Sequence, residues 1–175
     1  MERVISSKIV FECPIFKVEE AEVELPDGKR EPRWYVVKRD AVGVVAVDAT
    51  GRIILLREYR SAAGEVRWRI PAGGVKDGED IQDAARRELR EEIGMDANQL
   101  SLIFIAKNPS AMMKQQTHFY LAKDVFPSPL KSDEWEEISV VTRHPEEVMN
   151  LITSGEFEGS MATALKKAIE MIRAY

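Results

Sequence analysis

Apolar and polar positions along this chain fall into two periods, one near two and one near four. Over residues 3–12 (RVISSKIVFE) and 15–25 (IFKVEEAEVEL) the two kinds of side chain interleave as in extended chain. Residues 33–38 (RWYVVK) predict a third strand, and Pro26-Asp27-Gly28-Lys29 marks the turn before it. Residues 41–48 (AVGVVAVD) and 52–57 (RIILLR) form a denser apolar pair around Ala49-Thr50-Gly51. Later strands are expected at 101–107 (SLIFIAK), 117–122 (THFYLA) and 137–141 (EISVV). The longer period marks the helices. Ile81, Ala85, Leu89 and Ile93 recur every four residues and predict a buried helical stripe. Residues 145–154 and 159–173 are also read as helices, the second carrying Ala162, Leu165, Ala168, Ile169 and Ile172 at helical spacing.

Strands with interspersed helices imply an α+β sandwich. The pattern divides the chain into an N-terminal antiparallel strand module, residues 1–38, and a larger domain, residues 39–175. The module has too few apolar residues for a core of its own. It is expected to pack on the larger domain or on a second subunit, which makes it the candidate dimerisation element. No repeat or low-complexity segment interrupts the pattern.

Composition narrows this little. The chain has 175 residues, enough for one sizeable core, and 45% are hydrophobic. A net charge of −5 argues against a general nucleic-acid binder but not against a phosphate substrate, because a metal can reverse the local field. Cys13 is the only cysteine, so no intramolecular disulfide forms; it is read as a small buried apolar residue, and the usage suits a reducing compartment. No apolar stretch reads as a signal peptide or membrane span, so no membrane partner is expected and a cytoplasmic location is the reading.

The chemistry concentrates in GGVKDGEDIQDAARRELREEIGM. Glu88, Glu91 and Glu92 lie at i, i+3 and i+4, neighbours on one helix face, where like charges repel by about 0.2–0.5 kcal/mol per pair. One explanation is a solvated acidic face. The other is a hard divalent cation such as Mg2+ or Mn2+, which takes oxygen ligands. Before them, Pro71 and the glycines at 73, 74 and 78 make a loop, and Asp77, Glu79 and Asp80 suit the positive end of the helix dipole. Gly94 is placed as the helix C-terminal glycine. Arg87 can pair with Glu91 at i+4, or with Glu79 across the loop, and is read as structural.

The spacing resembles the Nudix box. Gly73 is followed after five residues by Glu79, after seven more by Arg87-Glu88-Leu89, then by Glu91-Glu92, Ile93 and Gly94, with Met95 where Ile, Leu or Val is usual. The resemblance implies the Nudix fold, a mixed sheet between helices in an α/β/α sandwich, and metal-dependent hydrolysis of a nucleoside diphosphate linked to another group. It implies metal binding by Glu88, Glu91, Glu92 and the carbonyl of Ala72, with Gly73, Glu79, Arg87 and Gly94 holding the motif.

LLREYR, RIPAGGV, THFYLA and HPEEVMNLITSGEF look like the ADP-ribose pyrophosphatase branch of that family. This implies a nucleoside diphosphate sugar substrate, ADP-ribose first, and a homodimer in which N-terminal strands reach the partner's active site. It also places a catalytic glutamate in Ser132-Asp133-Glu134-Trp135-Glu136-Glu137: Glu134 is the first candidate base, Glu136 the second, and Glu91 follows if neither serves. Trp135 caps the pocket or packs. Arg69 stands where the branch often has Glu, Asn108-Pro109-Ser110-Ala111 replaces a Ser-Pro-Gly, and Gln115 replaces a Glu, which leaves the sugar and base preference open.

Arg57 and Arg60 are candidate phosphate contacts, since the guanidinium fork donates bidentate bonds, and Arg60 matches the branch's QYR-like arginine. Trp34, Tyr35 and Trp68 are candidate stacking platforms or packing residues. His118 and His144 are read as structural. Two alternatives stand beside this reading: a Nudix pyrophosphatase for another sugar nucleotide, a dinucleotide coenzyme or a nucleoside triphosphate, and a non-catalytic Nudix-fold binding domain.

Overall fold

A computed structural model describes residues 1–107, 110–131 and 138–174 of the chain. In chain order its strands and helices begin with β1 (Arg3–Glu12), β2 (Lys17–Glu24), β3 (Arg30–Val37), β4 (Ala41–Val47), β5 (Ile53–Arg60), β6 (Glu65–Arg69) and β7 (Ala72–Gly74). There follow α1 (Ile81–Glu92), β8 (Met95–Lys107), β9 (Met113–Lys114), β10 (Gln116–Pro127), β11 (Ile138–Arg143), α2 (Pro145–Thr153) and α3 (Gly159–Arg173). Contacts divide the chain into two units, Met1–Asp40 with Ala106–Gln116, and Ala41–Ile105 with Thr117–Tyr175.

In the first unit β1, β2 and β3 form an antiparallel sheet, and β9 adds parallel to β3. Alternation in β2 puts Ala21 and Val23 in the interior, while every residue of β1 is exposed. The turn between β2 and β3 needs a left-handed residue, supplied by Gly28 at φ +82°, and the Asp27 carboxylate accepts from the Lys29 N–H at 3.1 Å.

The second unit is built on β4, whose residues from Val42 to Val47 are all buried, as a central strand covered on both faces requires. The order is β11-β5-β4-β10-β8, with β6 paired to β5 and β7 to β4. β10 runs parallel to β4, whereas β5 and β7 are antiparallel to it, so the sheet is mixed. Val42, Val44 and Ala46 pack against Ala84, Ala85 and Leu89 of α1. The intervening positions face the other way, and α3 packs against β4 with Leu165 and Ile169 buried. This is the α/β/α layering of the Nudix fold, and it has the α+β character read from the sequence.

The differences from the sequence reading lie at edges. β3 starts at Arg30 and β5 continues to Arg60, extensions carried by backbone pairing with β2 and β6, and β8 starts at Met95 while β10 runs to Pro127. β6, β7 and β9 were not expected as strands. β7 contains two glycines, which depress strand preference, but pairing with β4 holds it extended. On α1, Ala84 is buried alongside Ala85, while Ile81 and Ile93 are only partly covered, because the helix presents a broader face to the sheet than a strict every-fourth stripe.

Candidate active site

The site is assembled where β7 meets α1. Asp80 starts the helix, its carboxylate accepting from the N–H groups of Gln82 at 2.8 Å and Asp83 at 3.4 Å. The helix ends at Ile93, and Gly94 follows at φ +68°, a left-handed position that a side chain would strain. These two ends fix which face of α1 meets β7. Glu88 is on that face and is only 6% exposed. A Cβ added at Gly73 would overlap the Glu88 carboxylate, so glycine at this position is what lets the carboxylate lie against the strand. The Glu92 carboxylate accepts from the Ala72 N–H at 3.0 Å.

Arg87 binds the carboxylates together. Its Nε and Nη2 donate to the two oxygens of Glu79 at 2.7 and 3.0 Å, a bidentate pair. Nη1 donates to Glu88 at 2.6 Å and Glu91 at 2.9 Å, and Nη2 also donates to the Gly74 carbonyl at 2.9 Å. A guanidinium has five N–H donors, so these five bonds use all of them. The hydrogen bonds to Glu79, followed by those to Glu88 and Glu91, push the Arg87 pKa further up, and Arg87 holds the Glu79 carboxyl below its ordinary value.

One guanidinium therefore faces three carboxylates, with Glu92 on the adjacent strand N–H. The donors are all hard oxygens, and negative charge exceeds positive, as a divalent-cation site requires. The glycine cradle under Glu88 fits the same chemistry. The side chains are nevertheless engaged with different partners: among the described residues, no group of three or more His, Cys, Asp or Glu side chains converges on a point that could hold a metal.

The other sequence candidates separate by strand alternation. Ile54 packs with the α1 cluster, so Glu58 and Arg60, two and three steps further at every second position, share the α1 face. Arg57 faces the opposite side. There its guanidinium lies 4.7 Å from the Trp68 ring, and that of Arg143 lies 5.4 Å from the same ring. Arg57 and Trp68 are thus together, but on the face away from the carboxylates of α1. Arg60 is exposed and donates to Glu58 at 2.8 Å. Trp34 is 54% exposed on β3 of the first unit, opposite Glu20, and Tyr35 beside it carries the Lys114 ammonium 4.4 Å over its ring.

Glu134 and Glu136, with Trp135, lie outside the described residues. His118 sits on β10 opposite Val42. His144 caps α2, its N–H donating to Glu147 at 2.8 Å. The Cys13 thiol donates to the Phe16 carbonyl at 3.3 Å. Glu58 was not singled out from the sequence. The signal was there: in IILLREYR it shares the inward parity of Ile54 and Leu56.

Fold and site together give a mixed sheet between helices with a carboxylate cluster on α1 laid against a glycine strand. The NUDIX domain family matches residues 37–165, most of the chain, which therefore belongs to the Nudix family and is a Nudix-type pyrophosphatase. A second family, described as nucleoside diphosphate sugar hydrolase N-terminal domain, matches residues 2–42. The chain is similar to an ADP-ribose pyrophosphatase of Bacillus subtilis (strain 168), 30% identical over 168 residues, covering 94% of this chain and 91% of that one. It is also similar to ADP compounds hydrolase NudE of Escherichia coli (strain K12), 27% identical over 156 residues, 88% of this chain and 83% of the other. A crystal structure of an ADP compounds hydrolase superposes with a TM-score of 0.87 at 25% identity, covering 99% of this chain and 95% of that one. Among the described residues no helix is long and apolar enough to cross a membrane.

Proposed function

We propose that this enzyme hydrolyses the diphosphate linkage of a nucleoside diphosphate sugar, with ADP-ribose as the first substrate and AMP and ribose 5-phosphate as products. The observation that carries the reading is the carboxylate set of α1, held by Arg87 and laid against the glycine strand β7. The relatives named for ADP-ribose and ADP compounds, similar over most of their length, support the substrate class.

Glu88, Glu91, Glu92 and the Ala72 carbonyl would hold Mg2+ or Mn2+, after side-chain rotation brings the carboxylates to one point. Bound there, such a cation would offset phosphate charge and make water a better nucleophile at neutral pH. The chain's own residues do the rest. Arg60 donates to a phosphate oxygen. Glu134, or Glu136 in its place, accepts the proton of the attacking water. The water oxygen forms the new bond to one phosphorus, and the bond from that phosphorus to the bridging oxygen breaks. Arg87, with every donor committed, orients Glu88 and Glu91 rather than touching substrate.

The exposed β1 and the apolar side chains Val4, Ile9, Val10 and Phe11 upon it support a homodimer formed through the N-terminal module. A single cysteine supports a reducing, cytoplasmic setting. The test of function is a panel of ADP-ribose, other nucleoside diphosphate sugars, dinucleotide coenzymes and nucleoside triphosphates, each with and without Mg2+. The highest kcat/KM is expected on ADP-ribose, and a clear preference for a triphosphate would overturn the substrate reading.

A further inference from the structure

Glu58 is a charged residue in an otherwise apolar inward row. It is 6% exposed and follows Ile54 and Leu56 on the face of β5 toward α1. Burying a carboxylate is costly unless it is paired and hydrogen-bonded, and two guanidiniums meet it here. Arg60 Nη1 donates to Oε1 at 2.8 Å, and Arg69 Nε lies 3.6 Å from Oε2. The two contacts are unequal. The Arg60 contact is a hydrogen bond, while the buried Arg69 Nε has no hydrogen-bond partner among the described residues and supplies charge to Glu58. Arg69 is the more covered of the two, and Arg60 reaches solvent. Both line a cleft of about 350 Å3 that also borders Ala62, Phe157 and Glu158. An arginine side chain has much rotamer freedom to lose on binding an anion. One that is already held at one nitrogen loses less, and its remaining donors point in a set direction.

We infer that Glu58 is a positioning residue: it fixes the guanidinium of Arg60 in the orientation that receives a substrate phosphate, and Arg69 places a second positive charge beside the same carboxylate. The inference rests on Arg60 being a phosphate contact, as proposed above. It makes this face of β5 part of the binding machinery and assigns a role to two residues that carry no chemistry of their own.

The test is a double-variant cycle with ADP-ribose and Mg2+. Glu58→Gln keeps the shape and removes the charge, and it should raise KM about tenfold while kcat changes less than threefold. Arg60→Gln should raise KM at least as much. The double variant should be no worse than Arg60→Gln, because nothing is left to position. A merely structural Glu58 would lower the melting temperature and add its effect to that of Arg60→Gln. Unchanged KM in Glu58→Gln beside a raised KM in Arg60→Gln overturns the positioning role alone, whereas unchanged KM in Arg60→Gln overturns the phosphate-contact reading and the inference with it. If Glu58→Gln does not fold, Glu58→Asp serves: it keeps the charge and shortens the arm, so KM should rise more than threefold, and an unchanged KM overturns the inference. If the wild type hydrolyses nothing in the panel, the same variants are compared by calorimetric binding of inorganic pyrophosphate, where equal affinities overturn the inference and the graded loss supports it.

Discussion

Replacing Gly73 by alanine adds one methyl group where the Glu88 carboxylate lies. The backbone there is not left-handed, so alanine is tolerated by the chain itself. The conflict is with a side-chain tip. An ordinary Cβ contact is 3.4–4 Å, and the farther carboxylate oxygen lies 2.5 Å from the added atom. The carboxylate must therefore withdraw by a distance on the order of 1 Å, and its neighbours Arg87 and the β7 backbone must follow. Overpacking costs about 1–3 kcal/mol in a rigid site, and here a flexible arm absorbs part of it. Reduced freedom of the unfolded chain returns about 0.4–1 kcal/mol. The net loss of stability should be below about 2 kcal/mol, so the protein folds. Function should suffer more, since a 1 Å misplacement of a catalytic group costs about 10²-fold. Gly74→Ala is the control. A Cβ there meets nothing within 4 Å, on the same short strand. The assay is urea unfolding of both variants beside Mg2+-titrated turnover. Gly73→Ala should need much more Mg2+ and turn over about 10²-fold more slowly, with Gly74→Ala near wild type. Turnover of the two variants within threefold of each other would refute the cradle argument.

Glu79 is held below its ordinary value of 4.5, first by the Arg87 hydrogen bonds, so the pair stabilises the fold above that pH and loses its contribution as pH falls through the depressed value. Urea unfolding should show Glu79→Gln less stable than wild type at pH 7, with the gap closing in strong acid; a gap that widens below pH 4.5 would reverse the sign. Glu134→Gln should depress kcat by about 10²–10⁴-fold with little change in KM, and Glu136→Gln should do less; the reverse order moves the base by two residues, and no effect from either moves it to Glu91. Multi-angle light scattering should give a dimer at micromolar concentration, and a fully active monomer would remove the role proposed for β1.

Much of this arrangement was legible in the sequence because it depends on local spacing. The four-residue recurrence through Leu89 sets α1 and its inner face, and the box spacing places Glu79, Arg87 and Glu88 within reach of one another. Arg87 shows where local reasoning stops. Pairing with Glu91 or with Glu79 could be read from separation, but that it makes both bonds and also reaches Glu88 and Gly74 depends on where β7 lies. β7 itself was hidden, because glycines read as loop and only its partner β4 makes them a strand. Arg57 and Arg60 both read as candidate phosphate contacts after a strand, with Arg60 favoured by its match to the QYR-like motif. Three steps along a strand put them on opposite faces, which separates Arg60 from Arg57, although Arg60 and Trp68 border one cleft. Glu58 escaped notice because a charged residue in a strand is ordinarily taken as solvent-facing, and only its burial beside Arg60 and Arg69 marks it.

In the proposed reaction the α1 carboxylates act through a divalent cation on a diphosphate. Glu92→Gln keeps the side-chain volume, removes one charge and leaves an oxygen for the Ala72 N–H. The decisive measurement is steady-state hydrolysis of ADP-ribose at saturating Mg2+, with AMP and ribose 5-phosphate resolved by chromatography, for the wild type and this variant. The wild type should give stoichiometric AMP and ribose 5-phosphate and none in excess chelator, and the folded variant should lose turnover by orders of magnitude. Wild-type turnover by Glu92→Gln at saturating Mg2+ would contradict the proposed reaction.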